Sequence, residues 1–145
     1  MTRIRTIEFI SGLFILLFLY TAVSKFRDFS GFVGDMHNQP LPYFASTVLA
    51  WTLPPIEVSI AVLLMFDRTR ITGLKASLVI MLVFTVYTAL VLFHFFNRIP
   101  CSCGGIIKSL SWKQHLFFNL FFVSLAYLGI ALSKKQNNKK AISIA

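Results

Sequence analysis

The chain has 145 residues, of which 57% are hydrophobic and only 13% charged. A soluble domain carries about a quarter charged residues, and a chain this short cannot hide so much apolar surface in a water-bounded core, so its solvent includes lipid. The net charge of +9 lies between and after long apolar runs rather than on one soluble face, which argues against a nucleic-acid partner and for basic flanks of membrane helices.

The first charge-free run, "FISGLFILLFLYTAVS", extends to a span over residues 4–24 because Glu8 and Lys25 can snorkel. It lacks a convincing small-x-small cleavage site and is followed directly by Lys25-Phe26-Arg27, so it reads as a retained helix rather than a removed leader. The linker "KFRDFSGFVGDMHNQPLP" places Phe26, Phe29, Phe32 and Val33 at three- and four-residue steps. Two readings stand side by side: a short amphipathic helix lying in the membrane interface, or a loop anchored by phenylalanines. Gly34 and the cluster Asn38, Gln39, Pro40 would end such a helix.

The second span, residues 43–66, contains Glu57 and the pair Pro54 and Pro55. The third covers residues 75–97, and the fourth covers residues 112–133 ahead of the hydrated stop "KKQNNKK" and a basic tail over 134–145. Each is long enough to cross about 30 Å of hydrocarbon at 1.5 Å per residue. The predicted architecture is all-α: an integral-membrane four-helix bundle forming one domain over residues 1–145, its partner the lipid bilayer.

Four spans put both termini on one side. That side carries Arg3, Arg5, Arg68, Arg70, Lys75, Lys134, Lys135, Lys139 and Lys140, against Lys25, Arg27, Arg98, Lys108 and Lys113 on the other. The positive-inside rule makes the richer side cytoplasmic, as for a multi-pass protein of the bacterial inner membrane. Cys101 and Cys103 then face the periplasm, where disulfides persist, together with His37, His94 and His115.

The segment "RIPCSCGGIIKSLSW" holds both cysteines. A Cys-x-Cys disulfide closes a small ring under strain, and strain makes a disulfide easier to reduce. Gly104 and Gly105 free the backbone next to it, and Arg98 and Lys108 favour a thiolate. Redox exchange through Cys101 and Cys103 is the favoured chemistry, as a thiol–disulfide oxidoreductase or isomerase accessory. Two alternatives stay open: small packing residues in a non-catalytic subunit of a membrane complex, or a Cu(I) or Zn site using Cys101, Cys103, His94 and His115, with Met36 and His37 in reserve. No resident metal or cofactor is expected on the favoured reading. With no second thiol pair, the exchange partner is a periplasmic thiol or disulfide-bearing protein, or a quinone.

Glu57 is the costliest residue, about 2.5 kcal/mol or more at membrane depth. It must face the bundle, protonated or paired, either to fix helix packing or to serve proton handling or a polar binding site. Lys25 is its natural partner, although a place near the outer surface puts its reach in question; Tyr20, Tyr87 and Asn119 are others. Pro54 and Pro55 remove the helix bonds to the carbonyls of Ala50 and Trp51 and predict a kink. Trp51 and Trp112 read as interface anchors.

"SKF" after the first span, "LPPIE" in the second and "CSCGG" between the third and fourth resemble the MauE family, methylamine-utilisation membrane proteins related to the DoxX-like group. The resemblance runs from about Arg5 to Leu132. It implies a role in periplasmic maturation of the disulfide-rich small subunit of methylamine dehydrogenase, with Cys101 and Cys103 as the family's pair, Glu57 as its acid and Lys25 as its lysine. Ser24 stands where relatives often have Gly, and the cysteine loop lacks an aromatic found before the second glycine in many of them.

Overall fold

The computed structural model describes residues 2–93, 95 and 111–144, with side chains for 4–93, 95 and 111–135. Among these residues the chain forms five helices: α1 (Thr2–Arg27), α2 (Phe29–His37), α3 (Tyr43–Met65), α4 (Arg70–Leu92) and α5 (Trp112–Ile144). Four of them, α1, α3, α4 and α5, carry spans long and apolar enough to cross a membrane. The protein is a multi-pass membrane protein.

Helix α1 continues past the predicted end at residue 24, because nothing in "KFR" breaks it and Lys25 and Arg27 suit the negative end of its dipole. Asp28 then caps α2, its carboxylate accepting from Gly31 N–H at 3.0 Å. Of the two readings of the linker, the helix is the one formed, but it does not lie apolar-face-down in lipid. Phe32 and Met36 are buried against Ala50 and Leu53, so α2 folds back along the first half of α3. Gly34 does not end it either; the helix closes one turn later, where Asn38 N–H bonds to Gly34 C=O at 3.1 Å.

Helix α3 runs through Pro54 and Pro55 as one element. A tight turn at 66–69 follows, in which Thr69 Oγ1 donates to Leu63 C=O at 2.7 Å and Arg70 pairs with Asp67 at 2.6 Å. Helix α4 therefore starts at Arg70, five residues before the expected boundary at 75. That boundary follows the apolar run, whereas Arg70 and Lys75 are good helix formers that extend toward water. It ends at Leu92 rather than 97. Helix α5 begins at Trp112 as expected, set by a capping box: Ser111 N–H donates to Gln114 Oε1 at 2.9 Å, and Gln114 N–H donates to Ser111 Oγ at 3.4 Å. It runs on through the basic tail to Ile144. Hydration there ends the apolar span at Lys135 but not the helix, since the tail lacks Gly and Pro.

The spans form a ring in which α1 packs most heavily on α3, and α4 on α5, with looser α3–α4 and α1–α5 contacts. Two ends of the bundle differ. Toward the chain termini the packing is tight: a Cβ on Gly73 would meet Leu64 at 2.9 Å, and one on Gly129 would meet Leu74 at 3.2 Å and Ile10 at 3.5 Å. Small residues bring helices this close, which is what holds spans together where lipid removes the usual hydrophobic drive. Phe14, fully buried, meets Phe122 edge-on at 5.2 Å between ring centres. At the opposite end, where α2 lies, polar side chains surround open space.

Candidate functional site

The α2 end of the bundle encloses a cavity of about 340 Å³, walled by α1, α3, α4, the start of α5, and α2 with the linker after it. Its walls are mostly aliphatic and aromatic, with a few polar groups converging on it. Pockets of this size and character are the usual form of small-molecule sites.

The central feature is an ion pair between Lys25 Nζ on α1 and Glu57 Oε1 on α3, with side-chain exposures of 11% and 3%. Lys25 thus reaches Glu57 directly. It can do so because α2 folds back over the end of α1, so that the lysine sits beneath a helix rather than at an open surface. The same ammonium lies 5.5 Å from the ring centre of Phe32 on α2, a cation–π contact. Glu57 Oε2, also buried, has no hydrogen-bond partner among the described residues. Thr21 stands beside the carboxylate, but its single hydroxyl proton goes to Phe18 C=O at 3.1 Å.

Two more polar couples line the cavity. Tyr87 Oη donates to Gln39 Oε1, while Gln39 Nε2 donates to Asp35 C=O at 3.1 Å. Asn119 Nδ2 donates to Thr88 Oγ1 at 3.4 Å, and that hydroxyl donates to Phe84 C=O at 2.7 Å. Each of these side chains has a partner inside a low-dielectric wall, where an unmet polar group costs about 1–3 kcal/mol. The couples tie α4 to the linker and to α5, and hold the walls apart around the space.

Of the residues singled out in the sequence, Lys25, Glu57, His115, Tyr87, Asn119, Met36 and Trp112 all line this one cavity. Trp112 is half-buried at the wall, beyond its expected role as an interface anchor. Tyr20 is not a partner of Glu57; it is 42% exposed. His37 stays apart, bonded to Thr47 Oγ1 at 3.0 Å and stacked on Tyr43 at 4.3 Å. Cys101, Cys103, Gly104, Gly105 and His94 lie outside the described residues. Among the described residues no three His, Cys, Asp or Glu side chains converge as metal ligands. Thr21 and Thr88 escaped the sequence reading, and Gln39 was read there only as part of a helix stop. Thr88 was legible in principle, because it continues the buried face of α4 through Ser77, Met81 and Thr85.

Residues 4–132 match the family model described as methylamine utilisation protein MauE. The chain belongs to the MauE family. A curated relative, methylamine utilization protein MauE of Paracoccus denitrificans, is 33% identical over 114 residues, covering 77% of this chain and 61% of the relative. The chain thus spans less than two-thirds of that MauE protein's length. No solved structure matches. Within the matched region lie both halves of the Lys25–Glu57 pair and most of the cavity wall, together with the Cys-x-Cys segment.

Proposed function

We propose that this MauE-family protein sits in a bacterial inner membrane with cytoplasmic termini and supports thiol–disulfide exchange on the periplasmic side through Cys101 and Cys103. The process served is the methylamine utilisation that gives its relatives their name, through maturation of a disulfide-bearing partner protein. One observation carries the reading. The segment holding the cysteines joins Phe93 to Ser111, and the helix ends on either side of it contribute Tyr87, Thr88, Trp112 and His115 to the cavity containing Lys25 and Glu57. The two helix ends that this segment joins lie at the end of the bundle that holds its buried polar centre.

In this exchange a partner thiolate attacks one sulfur of the Cys101–Cys103 disulfide, forming a mixed disulfide and releasing the other cysteine as a thiolate. A second partner thiol attacks the mixed disulfide, so that the partner leaves oxidised and the pair holds two more electrons. Strain in the Cys-x-Cys ring drives this direction. A single-cysteine trap tests it: Cys103→Ser should capture a partner through Cys101, or Cys101→Ser through Cys103, as a band that disappears on reduction. Failure of both variants to trap anything, with no phenotype for the double variant, removes the proposal.

A further inference from the structure

We propose that the cavity at the α2 end binds a lipid-soluble quinone and its quinol. Three observations point to this class of ligand. The first is an unsatisfied acceptor: Glu57 Oε2 is buried in the wall without a partner, and a buried carboxylate oxygen calls for a hydrogen-bond donor such as a quinol hydroxyl. Its neighbour Lys25 uses one N–H on Oε1, and an ammonium has three, leaving donors for a quinone carbonyl. One ion pair therefore serves both redox forms.

The second observation is the shape of the chemistry. Aromatic walls formed by Phe84, Phe118 and Trp112 stand around a polar centre that includes Asn119, which suits a flat ring with oxygens on its edge. The third is access. Ile80, Val83 and Phe84 of α4 form part of the wall together with Leu49 and Leu53 of α3. Val83 is 61% exposed, on a helix whose outward side faces lipid, so the cavity reaches the lipid-facing surface where α3 and α4 are loosely packed. A ligand that enters there must be dissolved in the bilayer.

The inference deepens the thiol reading and rests on it for its redox step. The reduced pair Cys101 and Cys103 gives two electrons and two protons to the quinone; a disulfide forms on one side and a quinol on the other. This returns the pair to the state that oxidises its partner, and the quinol leaves into the membrane.

Binding is measured first without the thiols, in purified Cys101→Ser/Cys103→Ser protein carrying Trp51→Phe, so that Trp112 reports from the cavity wall. Decylubiquinone and decylubiquinol should each quench its fluorescence saturably, whereas decanol should not. Glu57→Gln should weaken quinol binding by roughly tenfold, the loss of one charge-assisted hydrogen bond. Val83→Phe, at an exposed position on the cavity rim, should hinder entry of both forms without adding a second tryptophan. Absence of saturable quenching, or equal quenching by decanol, overturns the site and leaves the thiol reading standing. Saturable binding without quinone-dependent oxidation of the wild-type cysteines upholds the site and overturns the electron step from the thiols, while failure of the single-cysteine trap is what removes the thiol reading.

Discussion

Replacing Lys25 by Met keeps the length and apolar stem of the side chain but takes the ammonium away from Glu57. The carboxylate left behind has 3% of its side chain exposed and one oxygen already without a partner. Breaking a buried pair from one side costs about 3–5 kcal/mol, because an uncompensated charge remains. An ordinary hydrogen bond between membrane helices is worth only about 0.6 kcal/mol on average, so the two cases are well separated. Against a total stability of about 5–15 kcal/mol, a loss of about 3–5 kcal/mol means that Lys25→Met should remove roughly a fifth or more. The assay is a denaturation series in one detergent for wild type, Lys25→Met, Glu57→Leu and the double variant. Both single variants should be strongly destabilised, and the double variant, with no charge left to strand, should recover much of the loss. Single losses under about 1 kcal/mol that simply add in the double variant would refute the reasoning, since independent sites behave that way.

Four further substitutions probe separate parts of the fold by the same measurement. Gly73→Val drives a side chain into Leu64, which already lies 2.9 Å from a Cβ there, and should cost about 1–3 kcal/mol by overpacking; Gly12→Ala, where a Cβ meets nothing within 4 Å, should be neutral or stabilise by about 0.5–1 kcal/mol. Asp28→Ala removes the cap on Gly31 N–H and should cost about 1 kcal/mol, with the loosening of α2 visible as faster hydrogen exchange around Phe32 and Met36. Tyr87→Phe deletes the bond to Gln39 and should cost about 0.5–1.5 kcal/mol, without the large coupling predicted for Lys25 and Glu57.

Much of the architecture could be read from the sequence because lipid imposes simple rules. A helix that must satisfy its own backbone shows up as a long apolar run, and all four spans do. Glu57 stood out for the same reason, as a lone acid in hydrocarbon. What the sequence hid depends on a helix turning back. Lys25 looked too near the surface to reach Glu57, because apolar periodicity in "KFRDFSGFVGDMH" does not say whether Phe32 and Met36 face lipid or protein. Once they pack on Ala50 and Leu53, α2 covers the lysine. The place of Gln39 in the cavity wall was invisible for a related reason: a polar residue in a linker gives no periodic signal, and its burial follows only from where the linker passes Tyr87. Helix ends moved because charge marks where a span leaves lipid, not where the helix stops, as Arg70 and the tail after Lys135 show.

The most direct test of the proposed function is the redox state and sidedness of Cys101 and Cys103 in intact cells. A membrane-impermeant maleimide is applied before and after a mild reductant, and permeabilised cells mark the total. Little labelling from outside at first, and full labelling from outside after reduction, is the predicted result. Cysteines that label only after permeabilisation, or that label fully without reductant and never appear oxidised, contradict a periplasmic redox pair.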